Sequence, residues 1–120
     1  MSDAPEAYVY EAELERVIDG DTIDAEIDLG FDLKLNKRIR LHGIDTPETR
    51  TRDKAEKARG LKAKARLEQI IQDNNHEIYL KSMDKGKFGR CVGILFEQDF
   101  VHDSINDRLL MEGHAVPYGK

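Results

Sequence analysis

Three runs of alternating apolar and polar residues crowd into the first 42 positions, and the period then changes abruptly. Tyr8, Tyr10, Ala12 and Leu14 alternate with polar neighbours, as do Ile23, Ala25, Ile27 and Leu29, and then Leu33, Leu35, Ile39 and Leu41. A period of two places every second side chain on one sheet face, so each run reads as a half-buried strand. Asp19-Gly20-Asp21 separates the first two runs and Gly30 the next two, which supplies turn residues where an antiparallel meander needs them. From about Asp53 to Asp73 the chain is instead rich in Ala, Lys, Glu, Arg and Leu, a composition that favours helix. There Ala58, Leu61 and Ala65 fall on one helical face, with Leu67, Ile70 and Ile71 nearby, and this stripe is expected to be core. Asp73-Asn74-Asn75 closes the helix.

Two further short strands are expected at Ile78–Leu80 and Val92–Phe96, separated by the 84–89 turn. A second helix is expected over about 103–112, with Ile105 and Leu109 one turn apart and Gly113 at its C-terminal cap. The pattern is α+β and mainly β: a five-stranded OB-fold barrel with one helix after strand 3 and a second, C-terminal helix.

The chain has 120 residues, 36% of them charged, with a mean hydropathy of −0.64. A single domain over residues 1–120 is expected, and a domain of this size buries roughly 65% of its unfolded surface without staples. Cys91 is the sole cysteine, so no internal disulfide forms and a reducing compartment is the simplest expectation. Asp3, Glu6, Glu11, Glu13 and Glu15 occupy the first fifteen residues with no basic residue, the opposite of a signal-peptide start. No apolar run is long enough to span a bilayer. A cytoplasmic protein without membrane contact is therefore expected.

The net charge is −5, which on its own disfavours a nucleic-acid partner. The distribution reverses that. Residues 1–33 carry eleven acids and one base, whereas residues 49–66 carry eight bases and two acids. Exposed charges are screened over about 8–10 Å, so a local positive field can hold phosphates on a protein that is acidic overall. The plainer reading of the basic run is a solvated helix face.

Two segments carry the chemistry. Val17-Ile18-Asp19-Gly20-Asp21-Thr22-Ile23 joins two strands, and Arg40-Leu41-His42-Gly43-Ile44-Asp45-Thr46-Pro47-Glu48 runs from a strand into a loop. Asp21 and Asp45 are hard oxygen donors on separate strand ends; together with a backbone carbonyl they suit Ca²⁺ or Mg²⁺ and leave positions open for water and substrate. Glu48 follows the extended Thr46-Pro47 step and can face the same space. Arg40 presents a planar donor fork suited to phosphate. In a third segment, Asp84-Lys85-Gly86-Lys87-Phe88-Gly89-Arg90, the glycines make a hairpin and Arg90 re-enters a strand. Asp19, Asp21 and Asp24 do not form an EF-hand loop, because Asp24 stands where that loop needs glycine. His42, His76, His102 and His114 show no ligand spacing; His42, on the same side as Arg40 by strand alternation, is a minor candidate for substrate contact. Cys91 reads as a small packed strand residue.

These three segments resemble the staphylococcal nuclease-like (thermonuclease) family in order and approximate separation, over nearly the whole chain from about Val17 to Tyr118. The resemblance implies a calcium-dependent nuclease that hydrolyses DNA or RNA by in-line attack of water and leaves 3′-phosphate ends. It implies Asp21 and Asp45 as calcium ligands through their carboxylates and Thr46 through its carbonyl, with Mg²⁺ or Mn²⁺ as substitutes. Glu48 would hold or deprotonate the attacking water, and Arg40 and Arg90 would grip the scissile phosphate. Asp19 would stand just outside the ion's ligands. Lys87, Phe88 and Tyr118 would hold substrate, with single strands preferred. Three departures stand out. The stretch from Asp21 to Arg40 is longer than in the best-known member, which is expected to extend the hairpin around Gly30. The chain stops where that member continues into a third helix; a monomer is expected, with a dimer through the vacated surface as the alternative. The N-terminal third is acidic. The other functional class compatible with the fold is a catalytically silent module that binds nucleic acid or a protein, but silent copies typically lose these acids and arginines.

Overall fold

The computed structural model describes residues 9–85, 91–97 and 103–118. Strands β1 (Val9–Asp19), β2 (Thr22–Gly30) and β3 (Leu33–Leu41) form an antiparallel meander, followed by the short β4 (Ile44–Asp45) and helix α1 (Lys54–Gln72). Strands β5 (Glu77–Lys85) and β6 (Cys91–Phe96), helix α2 (Ile105–Met111) and the short β7 (Val116–Pro117) complete the order. The barrel closes in the order β1-β2-β3-β6-β5, with β1 antiparallel to β5. β3 meets β6 in parallel through Ile39–Cys91, Arg40–Val92 and Leu41–Gly93. This is the five-stranded barrel with two helices that the alternating pattern predicts. The added β4–β7 pair was not foreseen: Ile44 faces Pro117 and Asp45 faces Val116. Two-residue strands carry no alternation to read.

In β1, β2, β5 and the end of β3 the core follows the predicted inward positions, whereas in β6 the buried residues are Gly93 and Leu95 rather than the expected Val92, Ile94 and Phe96. Ile23, Ile39, Leu80 and Leu95 of the barrel are fully buried, and Ile105 and Leu109 of α2 and Leu67 and Ile71 of α1 close over it. Leu33 and Leu35 differ: they sit in β3 but are exposed, as are Leu29 and Phe31. The β2–β3 hairpin runs past the barrel wall there, so its inward face has no opposing sheet. Its turn places Gly30, Phe31 and Asp32 at positive φ.

The helix stripe expected at Ala58, Leu61 and Ala65 is also corrected. Those residues face solvent, and the buried face is Gly60, Ala63, Leu67, Ile70 and Ile71. The cause is close backbone approach. A Cβ on Gly60 would lie 2.7 Å from the carbonyl oxygens of Pro47 and Glu48, and one on Gly20 would lie 2.7 Å from Ala63 Cβ. The helix therefore presents its smallest residues to the loop it supports. Its start is fixed by Asp53, whose Oδ1 accepts from the backbone N–H groups of Ala55 and Glu56 at 3.0 and 3.1 Å. Helix α2 starts at Ser104, whose hydroxyl accepts from Asp107 N–H at 3.0 Å, and Gly113 follows at φ 82°, as a C-terminal cap requires.

Alanine is favoured over glycine inside a helix by about 1 kcal/mol, so an exposed Gly60 would be improved by substitution. Here the sign should reverse. Gly60→Ala is expected to destabilise the protein by about 1–3 kcal/mol, because the added methyl meets backbone carbonyls rather than a movable side chain. Urea unfolding of the variant against the wild type measures this; a gain in stability would show that the loop does not rest on the helix as described.

Candidate active site

The turn between β1 and β2 and the exit of β3 meet at one end of the barrel. A backbone bond from Leu41 N–H to the Asp21 carbonyl, 2.8 Å, holds them together. The register between β1 and β2 shifts between Val17 and Asp19. Such bulges re-aim side chains at strand ends, and Asp19 Oδ1 accepts from the Thr49 hydroxyl at 2.5 Å.

Asp21 is the buried centre, 7% exposed. Its Oδ2 accepts from Thr46 N–H at 3.1 Å, its Oδ1 accepts from the Thr22 hydroxyl at 2.9 Å, and Arg40 Nη1 lies 3.0 Å from Oδ2. Arg40 Nη2 also reaches Asp45 Oδ1 at 3.6 Å, and the guanidinium carbon lies 5.1 Å from the centroid of the Tyr118 ring. Tyr118 is brought there by the β4–β7 pair and by its own N–H, which donates to the Gly43 carbonyl at 3.0 Å. One guanidinium is thus shared between two carboxylates. Burial pushes the Asp45 carboxyl above the ordinary carboxylate range; the Asp21 charge adds to this and Arg40 opposes it.

Glu48 is exposed, and its position is set from behind: its backbone N–H donates to Glu56 Oε2 at 3.2 Å, in the first turn of α1. An open cleft of about 510 Å³ is lined by Asp19, Asp21, Arg40, Asp45, Thr46 and Glu48. All six predicted residues from the first two segments therefore share one space, and Tyr118 stacks on Arg40 at its edge. The predicted Lys87, Phe88 and Arg90 lie outside the described residues. His42 lines a different depression, against α2. Cys91 packs half-buried against the core, and burial raises its thiol pKa.

Two cleft residues were missed. Arg38 and Arg50 also line it. Arg38 was legible in principle, because it stands two places before Arg40 on the same strand face. Arg50 lies in an irregular loop, where no period indicates direction.

Among the described residues no group of three or more His, Cys, Asp or Glu side chains forms a metal cage. The donor set is smaller and of one kind: two carboxylates and the adjacent Thr46 backbone. Oxygen donors without imidazole or thiolate suit a hard divalent cation. Burial is the main cause of the raised Asp45 pKa, and the neighbouring Asp21 charge adds to it against the opposing Arg40. Arg40 Nη1 is itself buried and makes no bond of hydrogen-bonding geometry, although it lies at ion-pair distance from Asp21.

A closed five-stranded barrel with this acid–arginine cleft at the end of β3 defines an OB-type fold with a polar site. Residues 38–120 match the family described as staphylococcal nuclease homologue, and the chain belongs to that family. Comparison with curated proteins gives no match. The family match begins inside β3, so Asp19 and Asp21 precede it, and their place beside Asp45 comes from the fold itself. Among the described residues no helix is long and apolar enough to cross a membrane.

The two carboxylates should differ in what they do for stability. Asp21→Ala leaves Arg40 without its close partner and Thr46 N–H without an acceptor, and should cost about 3 kcal/mol. The Asp45 side chain is 54% exposed, and Asp45→Ala should cost less than about 1 kcal/mol. Urea unfolding in the presence of chelator checks both values; equal costs would contradict the burial difference.

Proposed function

We propose that this protein is a calcium-dependent nuclease that hydrolyses phosphodiester bonds of DNA or RNA and leaves 3′-phosphate ends. The observation that carries the reading is the convergence of Asp21, Arg40, Asp45, Thr46 and Glu48 on one open cleft, in a chain of the staphylococcal nuclease homologue family. The carboxylates of Asp21 and Asp45 and the Thr46 carbonyl would hold the ion. When bound, the ion would supply Lewis-acid polarisation of a phosphoryl oxygen and a lower pKa for nearby water.

The remaining chemistry belongs to the chain. Glu48 takes the proton of the attacking water as the new P–O bond forms and the bond to the 5′ oxygen breaks. Its backbone is anchored on Glu56, so the carboxylate is presented from a fixed base. Arg40, held at Nη1 against Asp21, meets the phosphate with the rest of its guanidinium, which lines the cleft. A donor of this kind aimed at charge that develops on phosphorus is commonly worth about 3–4 kcal/mol. Arg90 is assigned the leaving-oxygen side by the family pattern. Tyr118, stacked on Arg40, orients that guanidinium and offers an aromatic face at the cleft edge.

The purified protein is expected to cleave single-stranded DNA with calcium and not with excess chelator. Glu48→Gln should lower the rate by about 10²–10⁴-fold with little change in thermal midpoint, because Glu48 is exposed and its structural bond is made by the backbone. Full activity in that variant would remove Glu48 from the mechanism. A folded wild type that cleaves with neither calcium nor magnesium would instead favour a silent binding module.

A further inference from the structure

The outer face of the barrel beside the cleft carries a cluster that the proposed reaction does not use. Arg16 of β1, Asp24 of β2 and Arg38 of β3 stand side by side across three strands, Arg16 opposite Asp24 and Asp24 opposite Arg38. Two rungs further along the β2–β3 ladder, and so on the same face, Thr22 stands opposite Arg40. Arg38 and Arg40 thus project from the same face of one strand, two residues and about 6.6 Å apart along it. That is close to the separation of successive phosphates along an extended nucleic-acid strand. Arg38 also lines the same cleft as Arg40.

The hydrogen bonding leaves both guanidinia able to bind. Asp24 accepts from Arg38 Nε at 2.8 Å and Nη2 at 3.1 Å, and from Arg16 Nε at 2.8 Å. Among the described residues, neither the Nη1 group of Arg38 nor either Nη group of Arg16 has a protein acceptor in hydrogen-bonding geometry. The bond from Arg38, with that from Arg16, holds the Asp24 carboxyl at about 2. At neutral pH the cluster therefore carries one net positive charge, two guanidinia against one carboxylate. Arg16 and Arg38 remain 67% and 52% exposed in their side chains, while Asp24 is mostly covered at 17%. The arrangement is a pair of forks braced from below by one carboxylate, with their free edges outward.

We propose that Arg38, braced with Arg16 on Asp24, is a binding site for the phosphate next to the scissile one, so that a nucleic-acid strand lies along the outer face of β3. The proposal rests on the nuclease reading for which phosphate is scissile. A strand substrate then occupies at least two phosphate sites in line, Arg40 and Arg38, and a substrate with a single phosphodiester occupies one.

Fluorescence anisotropy with a labelled oligothymidylate, in chelator and at low salt, tests this without any need for cleavage. Competition by a dithymidine that carries one phosphodiester reports the Arg40 position alone. Arg38→Gln should weaken oligothymidylate binding by about tenfold, as loss of one charge-assisted contact does. It should also lower the salt slope by about 0.7, with dithymidine competition changed less than about twofold. Asp24→Asn should tighten oligothymidylate binding by at least about threefold, because it removes a carboxylate that offsets two arginines. A purely structural ion pair would not give that gain.

Equal losses for both probes in Arg38→Gln, no loss for either, or no gain in Asp24→Asn would overturn the proposal. So would a wild type that does not bind the oligothymidylate. If the wild type binds in an Arg38-dependent way but cleaves nothing with calcium, the nuclease reading falls and this phosphate site stands. If it cleaves with calcium while the Arg38 variant binds like wild type, the reverse holds.

Discussion

The buried carboxylate of Asp21 is the constraint on which the rest of the site depends. It lies at the end of the first meander turn, yet its bonds reach forward to Thr46 and its ion pair to Arg40. A carboxylate this covered must be met by donors. The chain supplies them by bending the β3 exit back over the β1–β2 turn, which in turn sets the path of residues 42–48. The β4–β7 pair then ties the C-terminal segment to that path and carries Tyr118 onto Arg40. One polar residue thus couples three separated stretches of sequence, and the cleft is what remains between them.

Helix α1 backs this arrangement, and its geometry explains an oddity of composition. A helix that only covered the barrel would present large apolar residues along its whole length, as it does at Leu67, Ile70 and Ile71. Nearer its start it instead presents Gly60 and Ala63, pressed against the Pro47–Glu48 carbonyls and Gly20. The helix is amphipathic by size there rather than by hydropathy. Glu56 in its first turn fixes the Glu48 backbone, so the helix start sets both the height and the angle of the site loop.

This is why the sequence was legible in some places and misleading in others. Strands whose inward face meets the core alternate visibly, and β1, β2 and the end of β3 could be read from that period alone. Leu33 and Leu35 keep the period but lose the burial, because nothing in a local pattern tells where a hairpin outruns its sheet. Leu61 looks like core and is exposed, whereas Gly60 looks like a flaw and is a contact. The site residues of the first two segments were legible as chemistry, since acids and arginines at strand ends have few structural reasons to gather. Arg38 was passed over because a charged residue on an outer strand face has an ordinary explanation as well. Only the register, with Asp24 between Arg16 and Arg38, makes it more than that.

The uneven charge of the chain follows from the same layout. Of the acids in the first two strands, only Asp19 lines the cleft. Glu11, Glu13, Glu26 and Asp28, with Glu77 and Glu97, line a separate depression on the barrel that shares no residue with it. The cleft gathers Arg38, Arg40 and Arg50 with Asp19, Asp21, Asp45 and Glu48, three bases against four acids, so a bound divalent cation would turn its balance positive. With a cation bound, a protein of net charge −5 would then attract phosphate at the cleft and repel it at the acidic depression. For a proposed nuclease this has a physical consequence. The acidic depression disfavours a long polyanion that wraps the barrel, and the cleft arginines set where a strand can be held. Affinity then comes from a few well-braced arginines rather than from a diffuse basic surface, which is the condition under which a single guanidinium such as Arg38 can be resolved in a binding measurement.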